Sequence, residues 1–135
     1  MLVLAGADSA VARLDPETFT VAWRSELDAP VLGPVGVRGD TAWAVTRRGT
    51  LYEIDLASSA VRRIVGLDAP ITTGVTPIDE HLVVGGADGV LRGITREGAM
   101  AWRVNLSWNI TVDPVAVPGG FLAAGGDGDL HRFTE

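Results

Sequence analysis

The chain repeats itself at intervals of about 40 residues, and a period of that length restricts the possible folds more than any other feature of the sequence. Leu27-Asp28-Ala29-Pro30 returns as Leu67-Asp68-Ala69-Pro70. Around this marker the segments LVLAGADSAVARLD, TAWAVTRRGTLYEID, HLVVGGADGVLRGIT and FLAAGGDGDLHRFTE overlie one another with at most one residue of slippage. Val11, Leu51, Leu91 and Leu130 correspond, as do Leu14, Ile54, Ile94 and Phe133, and Val35, Val75 and Val115 keep the same interval.

Turn residues divide each repeat. Asp8-Ser9, Arg48-Gly49, Asp88-Gly89 and Asp127-Gly128 separate pairs of strand-forming runs and predict two-residue hairpin turns, in which Gly49, Gly89 and Gly128 supply positive φ. Further punctuation falls at Arg38-Gly39-Asp40, Ile78-Asp79-Glu80 and Pro118-Gly119-Gly120, and again at Asp15-Pro16-Glu17-Thr18, Ala57-Ser58-Ser59 and Arg96-Glu97-Gly98. Each full repeat therefore holds four short strands, A to D, and no window has helical periodicity. Runs such as Leu2 to Ala5, Ala42 to Val45 and Leu82 to Val84 are apolar on both faces, which places strand B between two neighbouring layers. Small antiparallel sheets buried on both faces stack radially, so the expected fold is an all-β propeller. Its blades fall at about residues 1–30, 31–70, 71–110 and 111–135. The motif Leu-Asp-Ala-Pro is then the step from strand D of one blade to strand A of the next, with Pro30 and Pro70 ending the outer strand.

Composition narrows the chemistry. The net charge is -6, and all 11 basic residues are Arg and scattered except for two pairs, so the concentrated cationic face of a nucleic-acid binder is missing. With no Cys there is no disulfide, thiolate metal site or thiol nucleophile. His81 and His131 have no Ser or Asp at a repeated offset that suggests a triad. Asp127-Gly128-Asp129 lacks the remainder of a calcium loop. No apolar run reaches the roughly 18 residues of a membrane-spanning helix, and MLVLAGA reads as a strand rather than an export signal. The missing signal gives a cytoplasmic location by default, or an extracytoplasmic one if the residues belong to a longer precursor.

The run Leu14-Asp15-Pro16-Glu17-Thr18-Phe19-Thr20-Val21-Ala22-Trp23 resembles the tryptophan-docking motif of the quinoprotein, or PQQ-like, repeat. Asp15, Thr18 and Trp23 occupy motif positions, while Arg13 and Phe19 replace the expected Ala and Gly. The second repeat keeps Asp55 but has Arg63 where Trp belongs, and the third keeps Gly98 and Trp102. The resemblance implies a structural role for Trp23 and Trp102 as pegs between blades. It also raises an enzymatic reading, that of quinone-dependent dehydrogenases, which often stack their cofactor on a vicinal disulfide and hold calcium with Glu, Asn and Asp. This chain lacks the cysteines, and no catalytic Asp can be matched, so no catalytic, cofactor or metal residue is assigned.

Counting strands gives three, four, four and three per blade, about 3.5 blades in all, with the flanks of the first and last left open. Half of a larger ring is the expectation, completed by self-association or by the remainder of a longer chain; a compact four-bladed monomer is the third possibility. Strand alternation gathers the B-C turns and D-A links on one rim, the expected protein-binding surface, with Asp28, Asp68, Arg47 and Arg48. Where a third Leu-Asp-Ala-Pro is due, the sequence reads Leu106-Ser107-Trp108-Asn109, which adds Trp108 and Asn109 to the candidates. The functional expectation is a non-catalytic protein-interaction or scaffold module. The alternative is a fragment of a ligand-binding or enzymatic quinoprotein.

Overall fold

The computed structural model describes residues 2–6, 8–107, 109–110, 112–124 and 130–134. Among the described residues, fourteen strands run in chain order through four sheets. The first sheet comprises β1 (Leu2–Ala5), β2 (Ala10–Leu14) and β3 (Val21–Glu26). The second has β4 (Gly36–Arg38), β5 (Thr41–Val45), β6 (Thr50–Asp55) and β7 (Val61–Gly66). β8 (Thr76–Ile78), β9 (His81–Gly85), β10 (Val90–Thr95) and β11 (Met100–Asn105) form the third. The fourth holds β12 (Val115–Val117), β13 (Gly120–Ala124) and β14 (Leu130–Thr134). Every pairing is antiparallel between sequence neighbours, so each sheet is a meander.

The apolar residues on opposite faces of each strand bury against different neighbours, and this alternation builds the stack. Ala42 and Ala44 of β5 pack with Val11, Leu27 and Val31 from the first sheet and its outgoing link. Trp43 and Val45, on the other face of β5, pack with Ile71, Leu82 and Val84 of the third repeat. Val83 and Leu91 then meet Phe121 and Ala123 of the fourth sheet. Each buried aliphatic side chain contributes roughly 1.5 to 3 kcal/mol, so three apolar seams hold four sheets that would be marginal alone.

Turn geometry departs from the expectation at the B-C hairpins. Positive φ falls on Ser9 (60°), Gly49 (91°) and Gly89 (77°), each the fourth residue of its turn. In the second sheet Gly49 N donates to Thr46 O at 2.8 Å and Thr46 N to Thr50 O at 2.9 Å. This is the longer hairpin loop closed by a left-handed residue, not a two-residue turn. The two-residue turns are those between strands A and B, where Arg38 pairs with Thr41 and Ile78 with His81. Gly128, with Asp127 and Asp129, lies outside the described residues.

Another departure concerns Val115. It pairs with Leu122 as Gly36 pairs with Trp43 and Thr76 with Val83. The fourth repeat is one residue shorter here, so Val115 takes the strand position of Thr76 and is 59% exposed, whereas Val75 is buried.

The C-D turns explain the docking-motif residues. Asp15 Oδ1 accepts from Glu17 N, and Asp55 Oδ1 from Ala57 N, both at 2.9 Å. Each carboxylate thus ties its own turn. The glycine position of the motif needs positive φ, yet Phe19 holds it at 55° with its ring 74% exposed. A left-handed conformation costs an L-residue roughly 1 to 2 kcal/mol, against a roughly 0.5 to 1 kcal/mol entropic penalty for glycine. Phe19→Gly is therefore expected to raise the melting temperature by about 2 to 4 °C; a fall on thermal unfolding would show that the exposed ring is stabilising.

Candidate functional site

Two kinds of segment build the rim, the D-A links and the B-C turns, and hydrogen bonds sew them together. Leu27 N donates to Ser9 O and Leu67 N to Gly49 O, fixing each link on the turn of the sheet it leaves. Pro30 O then accepts from Arg47 N at 2.7 Å, and Pro70 O from Ala87 N at 3.1 Å, fixing it to the sheet it enters. Ile71 N donates to Arg47 O at 3.1 Å, so the backbone of Arg47 is held on both sides. The recurring proline thus does more than end a strand, because its carbonyl joins consecutive sheets.

The recurring aspartate acts across the seam as well. Thr50 Oγ1 donates to Asp28 Oδ2 at 2.6 Å, and Tyr52 OH to Asp28 Oδ1 at 3.3 Å. Burial pushes the Asp28 carboxyl up, but the hydrogen bonds from Thr50, Thr46 and Tyr52 outweigh it and hold the group below its ordinary range. Tyr52 is pushed up in turn, first by burial and then by the charge of Asp28.

One repeat later the partner is a cation. Arg92, with a fully buried side chain, gives Nε to Asp68 Oδ1 at 3.1 Å and Nη2 to Asp88 Oδ2 at 2.6 Å. Its Nη1 reaches Asp88 Oδ1 and Val90 O, both at 3.2 Å, and Arg103 Nη1 lies 3.5 Å from Asp68 Oδ2. The Arg92 charge beside Asp68, and its hydrogen bonds to Asp88, hold both carboxyls below the usual range. The same contacts keep Arg92 protonated. A buried guanidinium tolerates its desolvation only when paired in this way.

Sequence reading placed Asp28 and Asp68 on the rim but missed Thr50, Tyr52 and Arg92. The signal was present: Tyr52 follows Asp28, and Arg92 follows Asp68, by the same 24 residues.

Between the first two links lies an open depression of about 550 Å³, lined by Ser9, Asp28, Ala29, Pro30, Arg47, Arg48 and Pro70. It brings together three of the candidate rim residues, Asp28, Arg47 and Arg48. Asp68 belongs to the neighbouring Arg92 network. Asn109 is exposed beyond the third link, and Trp108 lies outside the described residues. Arg47 and Arg48 are both exposed, and neither guanidinium has a hydrogen-bond or ion-pair partner among the described residues.

Away from the rim, Trp102 lies in the seam between the third and fourth sheets. Its ring is stacked on Phe121 at 5.5 Å and 8°, and Phe121 is stacked on Phe133 at 5.0 Å. Trp23 packs, half-buried, against the cluster that joins the first and second sheets. No group of three or more His, Asp or Glu among the described residues converges as a metal site. None of the described residues forms a helix long and apolar enough to cross a membrane.

Among solved structures, BamB from Moraxella catarrhalis matches 98% of this chain at 23% identity with a TM-score of 0.80, over 42% of its own length. BBS1N, solved in complex with ARL6DN, matches at 19% identity and 0.77 over 46% of its length. The computationally designed Ika4 protein matches at 15% identity and 0.80 over 83% of its length. This chain therefore spans less than half of the BamB and BBS1N chains. No curated protein matches it in sequence. The four-sheet stack agrees with these propellers, and the family model described as outer membrane protein assembly factor BamB matches residues 7–132. On that match, the chain belongs to the PQQ-like repeat family of BamB, a family of β-propellers.

Proposed function

We propose that this protein is a non-catalytic interaction module, in which the stacked sheets are a rigid frame and the rim of links and B-C turns engages a protein partner. The observation that carries the reading is the depression beside Arg47, where guanidinia without an ion-pair partner among the described residues stand on a backbone hydrogen-bonded to the links on either side. Groups held in place before binding lose less freedom on association. The family match supports a protein partner, as do structural neighbours drawn from complexes, BBS1N with ARL6DN and the mitotic checkpoint complex.

The free flanks fit the same reading. Val21 is 58% exposed on the first sheet and Leu130 67% exposed on the fourth. We assign these flanks to further propeller, from the same polypeptide or from a second copy.

Photo-cross-linking tests the proposal in the cell of origin. A benzophenone amino acid at Asp8 or Asn109, on the rim, is expected to capture a discrete protein. The same probe at Ala57, on the opposite rim, is expected to capture none. Equal labelling from both rims would contradict the reading. In parallel, titration with pyrroloquinoline quinone and calcium is expected to leave the absorbance additive; a saturable shift would favour the ligand-binding alternative.

A further inference from the structure

We propose that the depression beside Arg47 and Arg48 receives an extended acidic segment of the partner, with two carboxylates on the two guanidinia and an apolar side chain between them on Ala29, Pro30 and Pro70. This inference rests on the interaction-module reading and adds the chemistry of the partner.

The other cations near the rim are used in ion pairs. Arg24 pairs with Asp8 and Glu26, Arg92 with Asp68 and Asp88, and Arg103 with Asp68. Arg47 and Arg48 differ, with no such partner among the described residues. Asp28 lines the same depression and keeps its charge, but its carboxylate is hydrogen-bonded to Thr50 and Tyr52 and forms no ion pair with either guanidinium, so two cations stand against one anion. In a chain of net charge -6, this is a local reversal of sign.

The shape selects among anions. Beside Ser9 and the charged residues the lining holds two prolines and an alanine, which offer an apolar side chain a contact surface with little side-chain freedom to lose. A compact dianion such as phosphate would bring its whole charge close to Asp28, whereas a peptide spreads two single charges across neighbouring arginines. Arginine is suited to this role, since its planar fork can meet a carboxylate with two parallel hydrogen bonds. A long polyanion would face the negative charge of the rest of the molecule.

The probe is a fluorescein-labelled peptide in which single glycines separate a central leucine from a glutamate on each side, so that the extended chain presents all three side chains on one face; it is compared by anisotropy with its lysine counterpart. The acidic peptide is expected to bind saturably, to weaken at least tenfold in Arg47→Glu/Arg48→Glu, and to be released by salt. The lysine peptide is expected to bind only that double variant. Reversal of another exposed arginine, Arg63→Glu, is expected to change nothing, and circular dichroism checks that both variants fold. Equal affinity for the two peptides, an unaltered acidic peptide in the double variant, or full displacement by millimolar inorganic phosphate would each overturn the inference.

Cross-linking separates the two levels of the argument. If the rim of the double variant still captures the partner, the acidic segment is wrong and the module reading stands. If the unaltered rim captures nothing, the module reading itself fails.

Discussion

Replacing Trp43 with alanine is expected to cost about 4 kcal/mol, and Trp102→Ala about 3 kcal/mol, in urea unfolding followed by circular dichroism. The order follows from burial and position. Trp43 is 1% exposed in the middle of β5, packed into the seam between the second and third sheets, with Arg96, in the turn after β10, 5.4 Å from its ring centroid. Trp102 is half-buried at the outer strand, where its contacts are the stack on Phe121 and the neighbouring β10 backbone at Gly93. Its loss leaves a groove open to water rather than a closed cavity. Trp43→Phe is expected to be far milder, because the buried indole Nε1 of Trp43 has no hydrogen-bond partner among the described residues and so gives up no such bond when removed. An equal or larger loss for Trp102→Ala would mean that the outer pegs, not the middle strands, dominate the seams.

A second large effect is expected close to the inner strands. Gly33 and Gly74 lie in the segments entering the second and third sheets, and their backbones touch. A Cβ on Gly74 would lie 2.2 Å from Pro34 O, and one on Gly33 2.0 Å from Gly74 N. The obstacle in each case is backbone, which cannot rotate away. The same segments carry the inner hydrogen bonds, Val75 N to Pro34 O at 3.3 Å and Gly74 N to Asp113 Oδ1 at 2.7 Å. Gly74→Ala must push these apart and is expected to cost about 3 kcal/mol, the upper part of the usual overpacking range. Gly39→Ala is the control. Nothing lies within 4 Å of its Cβ position, so it should lose only the strain of its φ of 59°, about 1 kcal/mol. A denaturation midpoint for Gly74→Ala within that of Gly39→Ala would show that the inner segments yield easily.

How much of this was legible in the sequence depends on the range of the interaction. The period, the strand count and the doubly apolar middle strands were readable, because local alternation and turn residues specify them directly. The docking motif drew attention to Trp23 and Trp102 and away from Trp43, which stands outside the motif but is the more deeply buried. The close approach of Gly33 to Gly74 brings two repeats together, and no local pattern reports it. Asp28 and Asp68 stand out in the sequence by their recurrence, but their partners sit on the following sheet. Only a comparison of residues at matched offsets, Tyr52 with Arg92, reveals that one repeat uses a hydroxyl and the next a guanidinium for the same carboxylate. The two-residue hairpin was expected from Arg48-Gly49, but one glycine is compatible with both a short turn and a longer one closed by a left-handed residue.

The central claim is that links and turns form one preordered frame beneath the rim, and native-state hydrogen exchange measures it most directly. The amides of Arg47, Ile71 and Ala87, each bonded across a link, are predicted to exchange as slowly as those in the middle of β5 and β9. Exchange of these three amides at the rate of unprotected loops, with β5 and β9 still protected, would contradict it.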